Sequence, residues 1–232
     1  MIKRQIPNLI TLGNLLCGVI ATYMAVKGDL RLAALFICLG IFLDFFDGMA
    51  ARLLGVASPL GKELDSLADV VTSGVAPGFI LFQLFCQGLC VSHLWLLAIA
   101  LLMPAFAAYR LAKFNIDTRQ SHSFLGLPVP SNALIWVGLA LCSDSPLLYN
   151  EAFLIAMAVI SLITNILMIS EMPMFSLKVN FKDMSWKSNN VQYLFLIGCA
   201  AIIAVTRQWY AISLIILWYI ILSAITQRRH AE

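Results

Sequence analysis

Apolar residues follow one another in eight long runs, and the polar residues collect in the short segments between them. About 20 apolar residues span the hydrocarbon core of a bilayer as a helix, so each run predicts one transmembrane helix. The first run ends at residue 26, and the others cover about 30–54, 59–85, 92–111, 128–142, 147–169, 191–205 and 209–226. We therefore predict an all-α integral membrane protein with about eight transmembrane helices in a single domain, residues 1–232.

The composition supports the membrane assignment independently of the runs. Hydrophobic residues make up 61% of the 232 residues, charged residues make up 12%, and the mean hydropathy is +0.91. A soluble domain typically carries about 25% charged residues. The first run is long and continues into further spans, so we expect it to remain as a helix and not to be removed as a signal peptide.

The basic residues predict the orientation of the spans. Placing the N-terminus inside puts twelve of them in inside segments and leaves three outside, namely Lys27, Arg31 and Arg207. Because Lys and Arg concentrate in cytoplasmic loops, this bias predicts that both termini are cytoplasmic. We expect a multi-pass protein of the cell (inner, cytoplasmic) membrane, and no nucleic-acid partner.

Four aspartates interrupt this apolar sequence between residues 43 and 69: Asp44, Asp47, Asp65 and Asp69. A carboxylate in hydrocarbon costs several kcal/mol on insertion scales, roughly 3, so such residues face a partner or a water-filled cavity. Asp44 and Asp47 are separated by three positions and Asp65 and Asp69 by four, so each pair lies on one face of its helix. The two acidic faces can look into one space if the two helices lie side by side.

The segment between the aspartate pairs predicts a short turn. Gly55 can end the first helix, and Ser58 and Pro59 can begin the second as its N-cap and first helical residue. Like charges brought this close repel one another unless a cation compensates them. Oxygen ligands without nearby His or Cys favour Mg²⁺, Mn²⁺ or Ca²⁺ over zinc. Arg52 adds a phosphate anchor or an internal partner for Asp47.

These residues form the pattern D-x2-D-G-x2-A-R-x8-G-x3-D-x3-D, which has eight fixed positions. In this pattern the chain resembles the CDP-alcohol phosphotransferases, membrane enzymes that transfer a phosphatidyl group from a CDP-linked lipid to an alcohol and release CMP. The segments MIKRQIPNLITLGNLLCG, AYRLAKFN, GLPVPSNA and PMFSLK extend the resemblance to the membrane-spanning phosphatidylserine synthases. The resemblance implies a catalytic core over about 1–170, extra helices over 191–226, and a homodimer.

The resemblance also implies roles for the residues of the pattern and of the chain start. Asp44, Asp47 and Asp65 would hold one cation, Asp65 and Asp69 a second one, and Asp69 would be the general base, with Asp65 also catalytic. The predicted cofactor is Mg²⁺ or Mn²⁺, with two ions. The residues expected to bind CDP-diacylglycerol are Asn8, Thr11, Asp44, Gly48, Ala51, Arg52, Gly61 and Ser66. The residues alone leave two alternatives open, because Asn8 could cap the first helix and Thr11 could bond to its own helix.

The acceptor L-serine would bind at the inner end of the fourth span. Arg110 is the predicted partner of its carboxylate, Lys113 the second choice, and Asn115 would assist the amine. Arg110 and Lys113 could instead be a pair that extends to the membrane surface. Similarly, Ser131 and Asn132 could line the cavity or cap the fifth span.

Two rival functions remain at the level of sequence. The acceptor could be glycerol-3-phosphate or inositol phosphate, although a phosphorylated acceptor should require a denser basic pocket. The aspartates could also belong to a cation transporter that is not an enzyme. Such a transporter would not explain Gly48, Ala51, Arg52 and Gly61, and the chain shows no inverted-repeat pattern.

Overall fold

The computed structural model describes residues 3, 5–88, 94–117, 124–175 and 186–228. Nine α-helices account for most of these residues, and a π-helical turn, Val70–Val75, joins α3 to α4. The helices are α1 Gln5–Lys27, α2 Leu30–Leu53, α3 Pro59–Asp69, α4 Ala76–Gly88, α5 Leu94–Ile116, α6 Val129–Ala140, α7 Glu151–Ile169, α8 Trp186–Thr206 and α9 Ala211–Arg228.

The all-α membrane architecture predicted from the sequence is confirmed. Among the described residues, six helical segments are long and apolar enough to cross a bilayer, with α3, the π turn and α4 forming one of them. The other two predicted spans correspond to shorter apolar helices, Val129–Ala140 and Ala211–Thr226. Large apolar side chains such as those of Leu9, Phe45 and Val205 are exposed on the outside of the bundle, as expected where lipid covers the protein.

Two predicted boundaries were wrong by several residues, and the first of them concerns the site. The fourth span was predicted to end at residue 111, but α5 continues to Ile116, so Arg110, Lys113 and Asn115 are helical. The sixth span was predicted from residue 147, but a 3₁₀ turn occupies Pro146–Tyr149. α7 begins at Glu151, because the Asn150 side chain accepts a hydrogen bond from the Ala152 amide and caps the helix.

The turn between α2 and α3 forms as predicted. Gly55 has a positive φ of 63°, and the Val56 amide donates to the Ala51 carbonyl at 3.0 Å, which is the Schellman ending of a helix. The Ser58 side chain accepts from the Gly61 amide at 3.1 Å, and Pro59 occupies the first helical position. This short connection places α2 and α3 side by side with their acidic residues at the same end.

Close packing around the π turn holds α1, α2 and the third span together. A Cβ added to Gly18 would lie 2.7 Å from Thr72 Cα, and one added to Gly40 would lie 2.5 Å from Thr72 Cγ2. The Thr72 hydroxyl donates to the Asn14 carbonyl at 2.9 Å. π-helical turns recur at functional sites, and this one directly follows Asp69. Asp69 is therefore a candidate functional residue.

A two-residue ribbon ties the start of α6 to the end of α7. β1, Phe124–Leu125, pairs antiparallel with β2, Pro173–Met174. Gly126 has a positive φ of 74°, and the Leu127 amide donates to the Leu167 carbonyl at 3.0 Å. These hydrogen bonds therefore hold the beginning of α6 next to the last turn of α7.

Candidate active site

Three carboxylates from two helices meet at the end of the bundle where α2 turns into α3. One carboxylate oxygen from each of Asp44, Asp47 and Asp65 lies within 4.8 Å of the other two. Asp69 follows one helical turn after Asp65, is buried, and lies beside Asp44. The predicted convergence of the two acidic faces is thus present, with Asp69 adjoining the group of three on its inner side.

The first helix supplies hydrogen-bond donors to this acidic cluster. The Thr11 hydroxyl lies 2.6 Å from Asp47 Oδ2, and Asn14 Nδ2 donates to Asp69 Oδ1 at 3.3 Å. Both donors are buried. Such partners fix the orientation of acidic side chains that are to bind a cation.

The structure bears on both alternatives left open for the chain start. α1 already begins at Gln5, so Asn8 lies inside the helix and does not cap it. Thr11 lies 3.0 Å from the carbonyl of Pro7 in its own helix as well as 2.6 Å from Asp47. A hydroxyl has one hydrogen, and the charged oxygen is the stronger acceptor.

A cavity of about 280 Å³ opens beside the acidic cluster, between α1, α2, the turn and α3. Eight of the residues predicted for the site line it: Asn8, Thr11, Asp47, Gly48, Ala51, Arg52, Gly61 and Asp65. Pro7, Lys62 and the turn residues Val56, Ala57 and Ser58 complete the wall. The cavity is therefore lined by two acidic and two basic residues. The small residues Gly48 and Ala51 leave space along α2.

Arg52 does not pair with Asp47, contrary to one of the two predictions made for it. Within the described part of the chain Arg52 forms no ion pair, and its Nη2 lies 3.9 Å from the position of a Cβ on Gly48. Its guanidinium borders the cavity together with Lys62. The other prediction, a phosphate partner, remains compatible with this position.

Ser66 lies away from the cavity, against α5. Its hydroxyl accepts a hydrogen bond from Asn115 Nδ2 at 2.9 Å, and Lys62 Nζ donates to the Asn115 carbonyl at 3.0 Å. Ser66 is not among the residues that line the 280 Å³ cavity. In this structure Ser66 and Asn115 therefore connect α3 to α5, and neither contacts the space beside Asp47.

Arg110 and Lys113 point in different directions, although three positions separate them. Arg110 is only 7% exposed, stacks on the Phe114 ring at 5.1 Å, and is close enough to Asp69 to attract it. Lys113 pairs with Glu171 at 3.3 Å near the surface. The two cations are thus not presented together to one anion, and Arg110 alone faces the acidic cluster.

The match to a known family agrees with this arrangement. Residues 4–170 match the family model described as CDP-alcohol phosphatidyltransferase, and this segment contains the whole acidic cluster and its cavity. The chain belongs to the CDP-alcohol phosphatidyltransferase family. Members of this family use a divalent metal, and Asp44, Asp47 and Asp65 are the group that could hold one here.

Several curated proteins are similar to this member of the CDP-alcohol phosphatidyltransferases. The protein named CDP-diacylglycerol–serine O-phosphatidyltransferase of Bacillus subtilis (strain 168) is 43% identical over 125 residues, 54% of this chain and 69% of that protein. The protein of the same name from Methanocaldococcus jannaschii is 34% identical over 157 residues, 67% of this chain and 71% of that protein. For the Helicobacter pylori (strain J99) protein of that name, 38% identity extends over 56% of this chain and 55% of that protein.

Sequence reasoning missed some residues that the structure brings to the site. Lys62 was counted only as a topology residue, yet it follows Gly61 and precedes Asp65 by three positions, a helical spacing that could have identified it. Asn14 was not among the predicted site residues, and its hydrogen bond to Asp69 was not predicted. That partner lies on another helix, and nothing in the spacing along α1 encodes it.

Proposed function

We propose that this chain transfers the phosphatidyl group of CDP-diacylglycerol to the hydroxyl of L-serine, giving phosphatidylserine and CMP. The observation that carries the proposal is the meeting of three carboxylates beside a cavity that also holds two cationic side chains. The family match and the names of the similar proteins supply the class of reaction and the acceptor.

A divalent cation fits the residues at this site. Asp44, Asp47 and Asp65 would hold it, because three hard oxygen donors within 4.8 Å suit Mg²⁺ or Mn²⁺ and repel one another without a cation. Asp69, beside Asp44, would share a second ion with Asp65. When bound, such ions neutralise the charge on the phosphate oxygens during displacement.

The protein residues have separate tasks in this scheme. Arg52 borders the cavity and would bind the diphosphate, while Gly48 and Ala51 leave room for the nucleotide against α2. Lys62 also lines the cavity, but its Nζ donates to the Asn115 carbonyl. Asp69 would accept the proton of the serine hydroxyl as the new P–O bond forms. The bond between the phosphatidyl phosphorus and the CMP oxygen breaks at the same centre, and CMP leaves with that electron pair.

The orientation and assembly of the protein belong to the same proposal. The distribution of basic residues supports a cytoplasmic active site in the cell membrane, and we infer a homodimer from the resemblance. In a variant whose six native cysteines are replaced by alanine, a cysteine introduced at the exposed Glu63 should react with a membrane-impermeant maleimide in inside-out vesicles and not in intact cells. Labelling in intact cells would reverse the orientation, and a single-chain mass in detergent would refute the dimer.

A headgroup assay on the purified protein tests the proposed function. CDP-diacylglycerol is supplied with L-serine, glycerol-3-phosphate or inositol phosphate in turn, and CMP and the lipid product are both measured. We expect equal amounts of CMP and phosphatidylserine with L-serine. We also expect loss of both with a chelator and recovery on adding Mg²⁺ or Mn²⁺. Turnover with another acceptor only would refute the serine assignment, and turnover that a chelator leaves unchanged would refute the metal.

A further inference from the structure

Three buried polar side chains on α5, α6 and α7 have atoms without a hydrogen-bond partner. Arg110 Nη2, both side-chain atoms of Asn132, and Asn165 Oδ1 are unpaired, and the three residues are 7%, 0% and 0% exposed. An unpaired buried polar group costs about 1–3 kcal/mol, more when it is charged. Most buried polar atoms in native proteins have a partner, so these atoms indicate a ligand that supplies one.

The three side chains come from helices that surround one space. Ala107, Val129 and Met168 each precede or follow one of them by three positions, and these apolar residues pack together in one cluster. Residues three apart on a helix are neighbours on the same face. Arg110, Asn132 and Asn165 therefore lie beside one apolar cluster where α5, α6 and α7 meet, and we call these three residues the inner polar cluster.

A second apolar cluster includes neighbours on the same three helices. It contains Met103 of α5, Ala133 and Trp136 of α6, and Ala158 of α7. Among the three polar residues, Arg110 also interacts electrostatically with Asp69.

The free atoms of the inner polar cluster are complementary to an amino-acid zwitterion. Arg110 Nη2 is a cationic donor suited to a carboxylate. Asn165 lies with its Nδ2 3.5 Å from Ser161 Oγ, which leaves Oδ1 as a free acceptor, and Asn132 offers another oxygen. An ammonium has three donors and no acceptor, so two amide oxygens suit it.

We propose that Asn132 and Asn165 bind the ammonium group of the acceptor while Arg110 binds its carboxylate, which presents the hydroxyl to Asp69. The inference rests on the proposed function, because the acceptor that it describes is L-serine. It adds two binding residues from α6 and α7 and replaces the predicted trio of Arg110, Lys113 and Asn115, since Lys113 and Asn115 have other partners.

The test measures KM for both substrates in Asn132→Ala and Asn165→Ala. Losing a hydrogen bond to a charged group should raise KM for L-serine by about 10- to 100-fold in each variant and leave KM for CDP-diacylglycerol unchanged. KM does not depend on the amount of folded enzyme, so a partly unfolded preparation does not mimic this result. The two variants alter different helices, so one still tests the pocket if the other does not fold.

A competitor that lacks the ammonium group separates binding from a general packing defect. 3-Hydroxypropanoate keeps the hydroxyl and carboxylate of serine, so both variants should bind it as well as the unaltered enzyme does. The matched control is Ser213→Ala. This change removes a buried hydroxyl of α9 that donates a hydrogen bond, 2.6 Å long, to the carbonyl of Ile135 in α6. It should leave KM for L-serine unchanged.

Three outcomes would overturn the inference. These are an unchanged KM for L-serine in both asparagine variants, an equal rise in KM for both substrates, or an equal loss of affinity for serine and 3-hydroxypropanoate. In each of these cases the unaltered enzyme still makes phosphatidylserine, so the proposed function stands. No CMP release with L-serine from the unaltered enzyme would instead refute the proposed function and this inference together.

Discussion

Replacing Thr11 by valine tests whether α1 orients the carboxylates that we propose as metal ligands. The Thr11 hydroxyl lies 2.6 Å from Asp47 Oδ2, and the residue is 3% exposed. Valine has nearly the same shape, so the Thr11→Val variant keeps the packing of α1 against α2 and removes only the donor. Asp47 then loses the hydrogen bond that holds its carboxylate toward Asp44 and Asp65.

The size of the effect follows from the type of hydrogen bond. A hydrogen bond to a charged group contributes about 1.5–3 kcal/mol. Because about 1.4 kcal/mol corresponds to a factor of ten, the metal affinity should fall by about 10- to 100-fold. Removing a hydrogen-bond partner of a metal ligand typically has an effect of about this size.

The assay measures CMP release against the concentration of Mg²⁺ or Mn²⁺ at saturating CDP-diacylglycerol and L-serine. The Thr11→Val variant should need about 10- to 100-fold more metal for half-maximal activity. Its KM for L-serine should not change. Thr22→Val is the matched control, because the Thr22 hydroxyl donates at 2.8 Å to Gly18 in the same helix and touches no carboxylate. An unchanged metal requirement in Thr11→Val would refute the orienting role.

Three further changes test other parts of the site. Asp69→Asn should abolish CMP release while the protein still binds CDP-diacylglycerol in a direct binding assay; normal turnover would remove Asp69 as the base. Arg110→Ala should raise KM for L-serine by about 10- to 100-fold and leave KM for CDP-diacylglycerol unchanged, and an equal rise in both would assign Arg110 to the phosphate or to folding. Gly18→Ala would place a Cβ 2.7 Å from Thr72 Cα, so overpacking of about 1–3 kcal/mol should lower the melting temperature by several degrees. Gly13→Ala, which meets only the movable Leu43 Cδ1 at 3.3 Å, should not lower it; equal melting temperatures in the two variants would contradict the packing described here.

Features that repeat along a single helix were predictable from the sequence. The spacing of Asp44 with Asp47 and of Asp65 with Asp69 predicted two acidic faces, and Gly55 and Ser58 predicted the turn between them. These features depend on helical periodicity and on local capping, which neighbouring residues determine. The structure agrees at each of these positions.

Features that depend on neighbouring helices were not predictable in the same way. The partners of Thr11 and Asn14 lie 36 and 55 positions away, so no local pattern indicates them. The spacing of Arg110 and Lys113 suggested one anion site, but burial of the first and the pairing of the second with Glu171 separated them. Tertiary packing determines the orientation of such side chains, and it cannot be inferred from the spacing of residues in a single sequence.

The charges around the site explain why its components belong together. Four carboxylates in a membrane-spanning region are unfavourable without compensating positive charge, and the nearby basic residues are Arg52, Lys62 and Arg110. Bound divalent ions would supply further positive charge and would attract the diphosphate of a nucleotide-linked lipid. Arg52 and Lys62 line the cavity, whereas Arg110 belongs to the inner polar cluster. In the proposed scheme this division would separate the site of the anionic donor from that of the acceptor, and Asp69, which interacts with both Asp44 and Arg110, would lie where the two substrates meet.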